Sequence, residues 1–172
     1  MIQNRYASLR VNSNRLAPRK PMPWLFAWLF ACVWGLLTSV PAFAAQQEMP
    51  LPDTFAEHKV VLQISDRDPF KQTLVLNVAA NLQRYYGASN LDLEIVGFGP
   101  GVRLMLKDNV NQSRIQSLMN AGVRFSACSN TLKNFGKKLG KEPEIAEGIQ
   151  RVPAGAGRIL QLNAAGWQIL KP

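Results

Sequence analysis

The chain has 172 residues, of which 47 % are hydrophobic and 18 % charged, with a formal net charge of +9. Residues 45–172 make one domain on length alone, large enough to bury roughly two thirds of its unfolded surface without a staple. The positive charge does not by itself point to nucleic acid. Five of the 20 Lys and Arg residues lie before residue 24, in a stretch with no acid, so the remainder carries 15 minus 11, or +4, in scattered positions.

Residues 1–44 have three zones. Arg5, Arg10, Arg15, Arg19 and Lys20 come first, an apolar run of 17 residues (24–40) follows, and Pro41-Ala42-Phe43-Ala44 closes the segment. Basic, apolar, then small-x-small is the order of a secretory signal. Pro41 ends an apolar helix just ahead of the small residues, because proline has no amide hydrogen to donate. The order predicts export, cleavage after Ala44 and a periplasmic or secreted protein. The alternative is an uncleaved anchor, for which the run is at the short end of the ~17–25 residues a bilayer requires. With cleavage, the membrane is met only transiently, through the signal. Cleavage removes Cys32 and leaves Cys128 as the sole cysteine, so an intramolecular disulfide is excluded.

Residues 45–57 carry two prolines, three acids and no apolar period, and read as a flexible leader. The domain is expected over residues 58–172. An apolar, β-branched run at 59–64 reads as a strand buried on both faces. Asp68 and Pro69 then supply a helix cap and a first helical residue, and apolar residues at spacings of three and four predict a helix over Pro69–Tyr86 stopped by Gly87. A second strand is expected at 91–98, a short helix at 102–107, another at 113–121 and a third strand at 123–128. Ser129 or Asn130 caps a helix over 131–139. One helical turn at 144–148, a strand at 149–152, a helix opened by Pro153 and a last strand at 167–170 complete the order. Alternating strands and helices predict an α/β fold with a mainly parallel sheet of about five strands covered on both faces.

Several stretches together resemble the DsrE/DsrF-like family: the strand at 59–64, the helix bearing Asn77 and Asn81, Val96-Gly97-Phe98-Gly99, Val152-Pro153-Ala154-Gly155 and Gly166-Trp167. The most specific is Gly122-Val123-Arg124-Phe125-Ser126-Ala127-Cys128-Ser129-Asn130-Thr131. The resemblance covers nearly all of residues 58–172. It implies a compact three-layer α/β sandwich that assembles as a homotrimer or hexamer. It also implies a role in sulfur relay or sulfur oxidation, with the cysteine matching Cys128 carrying sulfane sulfur as a persulfide. A periplasmic sulfur donor or acceptor protein is the partner this implies for an exported member.

The residues support that chemistry on their own terms. Cys128 stands at the C-terminal end of a predicted parallel strand, where open α/β sheets bind ligands. The helix after it offers unpaired amides and a positive dipole end, both of which favour thiolate, the nucleophilic form. Ser129, Asn130 and Thr131 surround the thiol with polar groups that either bind an anion or simply cap the helix. Asp66 and Arg67 follow the first strand at the same sheet edge, where they either line the pocket beside Cys128, with Arg67 suited to hold an anionic sulfur species, or form a solvated loop whose Asp68 caps a helix. The turn Gly97-Phe98-Gly99-Pro100-Gly101 is only loosely like a phosphate loop, because a proline interrupts it. No cofactor is expected, and His58, the only histidine, has no companions for a metal-ligand set. The alternative function is a non-catalytic oligomeric binding or adaptor module in which Cys128 is a buried packing residue.

Overall fold

The structure, a computed structural model, describes residues 48–172; the expected signal segment lies outside the described residues. Its elements in chain order are β1 (His58–Ile64), α1 (Pro69–Tyr86), β2 (Leu91–Gly97), a 3-10 helix (Gly99–Met105), α2 (Gln112–Asn120), β3 (Arg124–Cys128), α3 (Ser129–Leu139), β4 (Gln150–Val152), α4 (Gly155–Ala164) and β5 (Gln168–Leu170). The five strands form one parallel sheet in the order β4-β3-β2-β1-β5. Parallel neighbours need a crossover, and each connection carries a helix. No helix among the described residues is long and apolar enough to cross a membrane.

The central strand β2 is buried at all seven positions. On one face, Val60, Leu62, Leu93, Ile95 and Phe125 pack against Val75, Leu76 and Ala79 of α1, Leu104 and Met105 of the 3-10 helix, Ile115 and Leu118 of α2, and Leu132 of α3. The opposite face is covered by α4, through Ile159 and Leu162 against Val61, Val96 and Trp167. The second layer of helix is thus much thinner than the first. That α4 face also holds a buried charge cluster. The Glu94 carboxylate, fully buried, accepts from Arg158 Nε and Nη2 at 3.0 Å each and from Ser126 Oγ at 2.7 Å. Arg124 adds an ion pair to Asp92 and one to Glu94 at 3.6 Å, and its guanidinium lies 5.2 Å from the Trp167 ring centroid.

The helix over Pro69–Tyr86 has the expected bounds, with Asp68 accepting from the Phe70 amide at 2.9 Å. Other expectations need correction. The short helix expected at 102–107 is a 3-10 helix that starts at Gly99. Gly101 allows it: a Cβ there would lie 2.4 Å from the Ile64 carbonyl oxygen, so only glycine admits this close approach to the end of β1. The stretch 144–148 is not helical. It pairs back through a bridge between Leu106 and Ile145, with Lys107 N donating to Glu144 O at 3.0 Å. Asn77 and Asn81 do not pack on the sheet. They point outward, where Asn77 accepts from Arg114 at 2.6 Å and Asn81 accepts from Arg84.

Candidate functional site

The crevice of an open α/β sheet forms where adjacent parallel strands send their following helices to opposite faces. Here those strands are β3 and β4. The chain leaves β3 into α3 on the well-covered face and leaves β4 into α4 on the other. Cys128 is the last residue of β3, in register with Val152, the last residue of β4.

Alternation along β3 decides where the side chain goes. Phe125 and Ala127 belong to the well-covered face, so Ser126 and Cys128 face α4. Gly155, the first residue of α4, packs directly on the cysteine. A Cβ at position 155 would lie 3.3 Å from Cys128 Cβ and 2.8 Å from Phe98 Cβ. Cys128 is 5 % exposed.

The expected cap was Ser129 or Asn130, but α3 begins two residues earlier than the pattern suggested, and Cys128 itself occupies the N-cap position. Its sulfur therefore sits where a serine or aspartate oxygen ordinarily receives the amides of the first turn. Thr131 stands in the first turn of α3, where its Oγ1 accepts from the Gly99 amide at 3.0 Å and its hydroxyl keeps a proton to donate. Burial is the largest single influence on the Cys128 thiol and pushes it up. The Thr131 hydroxyl and the amide hydrogens of Gly155, Thr131 and Asn130 outweigh it and hold the thiol below its ordinary value. None of the α3 amides makes a full cap hydrogen bond to the sulfur. Their effect is that of dipoles from two helix N-termini aimed at one atom.

The expected site residues divide into two groups. Cys128, Ser129, Asn130 and Thr131 come together at the crevice. The Asn130 side chain is exposed, while its amide donates to Pro153 O at 3.2 Å and ties the β4–α4 loop to α3. Asp66 and Arg67 share the sheet edge but follow β1, two strands from β3, about 10 Å away at ~4.8 Å per strand. Asp66 accepts from the Asp68 amide at 3.0 Å and pairs with Lys71 at 2.9 Å. The Asp68 amide first, and then Lys71, hold its carboxyl below the usual range. Arg67 is exposed, and its carbonyl accepts from Gln72 Nε2 at 3.3 Å. Sequence reasoning missed Gly155 and the Gly99–Thr131 link, which depend on chain segments meeting in space. It also missed Glu94 and Arg158, although a lone acid between Leu93 and Ile95 signals a buried charge that needs a partner. Among the described residues, no group of three or more His, Cys, Asp or Glu side chains is placed to hold a metal ion.

The described residues thus form a small α/β domain with a five-stranded parallel sheet and a buried cysteine at the end of β3, its thiol held below the ordinary range. The chain belongs to the DsrE/DsrF-like family, whose model matches residues 59–172. No curated protein matches it. Among solved structures it is similar to MTH1491 from Methanobacterium thermoautotrophicum, a protein of unknown function, at 28 % identity and a TM-score of 0.60, covering 67 % of this chain and 99 % of that one. It is also similar in fold to the ychN protein from E. coli, at 16 % identity and a TM-score of 0.55, with the same coverage.

Proposed function

We propose that this protein is an exported sulfur-handling member of its family, carrying sulfane sulfur as a persulfide on Cys128. The observation that carries the reading is the convergence of the α3 and α4 N-termini and the Thr131 hydroxyl on one thiol. In the reaction this site suits, the Cys128 thiolate attacks the sulfane sulfur of a polysulfide or persulfide donor. A new S–S bond forms at Sγ as the donor's S–S bond breaks. The electron pair leaves on the donor, which departs as a thiolate one sulfur shorter. The donors that favour the thiolate also suit the terminal anion of the product. Loading is tested by intact mass after exposure to inorganic polysulfide: wild type gains sulfur and Cys128→Ser does not, whereas no gain on wild type refutes the reading.

Export is supported by the order of zones in residues 1–44, and N-terminal sequencing of the protein from its host should begin at Ala45. Self-association is supported by the outward stripe of Phe70 and Leu74 on α1, 85 % and 44 % exposed, and light scattering should return a trimer or hexamer. The 5 % exposure of Cys128 favours a second reading, a non-catalytic oligomeric binding or adaptor module. In that case native Cys128 resists thiol reagents at every pH at which the protein stays folded.

A further inference from the structure

Arg158 is 4 % exposed and has more to do than neutralise Glu94. Its Nε and Nη2 face down into the sheet, each 3.0 Å from the carboxylate. Its Nη1 faces the other way. It lies 3.1 Å from the Met49 carbonyl, 3.2 Å from the Pro50 carbonyl and 2.8 Å from Gln161 Oε1. Gln161, one turn further along α4, closes the ring by donating Nε2 to the Met49 carbonyl at 2.9 Å. Both acceptors on the N-terminal segment are main-chain oxygens, so α4 grips an extended chain without reading its side chains.

That grip supplies the segment's hydrogen bonds to α4. Among the described residues, no main-chain hydrogen bond ties residues 51–57 to the rest of the domain, and the next tie is His58 N to Asn90 O at 3.0 Å. Leu51 and Phe55 are 47 % and 101 % exposed. A cavity of about 100 Å³ lies between Glu48 and Met49 on one side and Val152, Pro153, Ala154 and Gly157 on the other. The segment therefore runs beside the loop that leads into Gly155, the residue packed on Cys128.

We propose that residues 48–50 form a releasable strap, held by Arg158 and Gln161, that governs access to Cys128. Uncovering the sulfur on the α4 side requires the first turn of α4 to lift away from β3. Arg158 restrains that turn twice, through Glu94 beneath it and through the strap beside it. Releasing the strap removes one restraint and leaves the ion pair in place, so the turn opens locally while the fold persists. The inference needs only that Cys128 is the thiol whose access matters, and it does not depend on the sulfur chemistry.

The test uses the full chain, a chain lacking residues 48–52 and the substitution Gln161→Ala, which keeps the Arg158–Glu94 pair. Iodoacetamide labelling of native Cys128 is followed by mass, with the urea unfolding midpoint measured on each. Labelling is expected to accelerate about tenfold or more in both variants with the midpoint unchanged, tenfold corresponding to about 1.4 kcal/mol of easier opening. Unchanged labelling overturns the proposal. Acceleration matched by an equal loss of global stability also overturns it, because opening would then be unfolding. Alkylation is blind to sulfur uptake, so a failure here is distinct from a failure of the persulfide reading.

Discussion

Replacing Arg158 by methionine tests how α4 is held over the site. The substitution keeps much of the side-chain volume but strips the Glu94 carboxylate of both Arg158 donors, each at 3.0 Å. Glu94 is fully buried, so water cannot replace them at once. What remains is the Ser126 hydroxyl at 2.7 Å and Arg124 at 3.6 Å. Removing one partner of a buried ion pair costs about 3–5 kcal/mol, against a total of roughly 5–15 kcal/mol for a domain. With a urea m-value near 2 kcal/mol/M, the midpoint should fall by about 1.5–2.5 M. The double variant Arg158→Met, Glu94→Leu removes both charges and should recover most of that loss, because the isolated charge is what costs. The assay is urea unfolding followed by tryptophan fluorescence, with Trp167 buried on the same face. A single variant within about 1 kcal/mol of wild type, or a double variant no better than the single, would refute the view that this pair fastens α4 to the sheet.

Four further outcomes follow from the same geometry. Thr131→Val removes the hydroxyl aimed at Cys128, so the pH midpoint of iodoacetamide labelling should rise toward the ordinary thiol range; an unmoved midpoint discards Thr131 as a donor. The folded Cys128 pKa lies below the unfolded one, so its contribution to stability is present above the unfolded value and lost as pH falls through the folded value. The stability difference between wild type and Cys128→Ser should therefore grow as pH rises from the lowered folded value toward the ordinary thiol range and level off above it, measured by urea midpoints. Gly155→Ala places a methyl 2.8 Å from Phe98 Cβ and should cost about 1–3 kcal/mol as overpacking, read by thermal unfolding. Arg67→Ala should leave labelling of Cys128 unchanged, since Arg67 follows a strand two removed from β3.

The sheet was legible because its strands are apolar runs and its helices carry apolar spacings of three and four; residues 69–86 show both a cap and a stop within the sequence itself. The position of Cys128 at a strand end was legible for the same reason. What escaped were features that arise only when distant segments meet. Glycine at 101 is required by the end of β1, 37 residues earlier in the chain. The thiol's third set of donors comes from Gly155, beyond α3, β4 and the loops that join them. Local pattern also misled at α3, where serine and asparagine looked like caps although the cysteine itself takes the cap position.

The most direct measurement is the pH dependence of sulfur loading on Cys128. The protein as purified from its host, with Cys128 as its sole cysteine, is exposed to inorganic polysulfide across a pH series, and the mass of the peptide bearing position 128 is followed in wild type and in Cys128→Ser. A thiolate held by two helix N-termini and Thr131 should gain sulfur at Cys128 alone, with a midpoint below that of a free thiol. Absence of sulfur on wild type, or equal gain on Cys128→Ser, would contradict the assignment of Cys128 as the sulfur carrier.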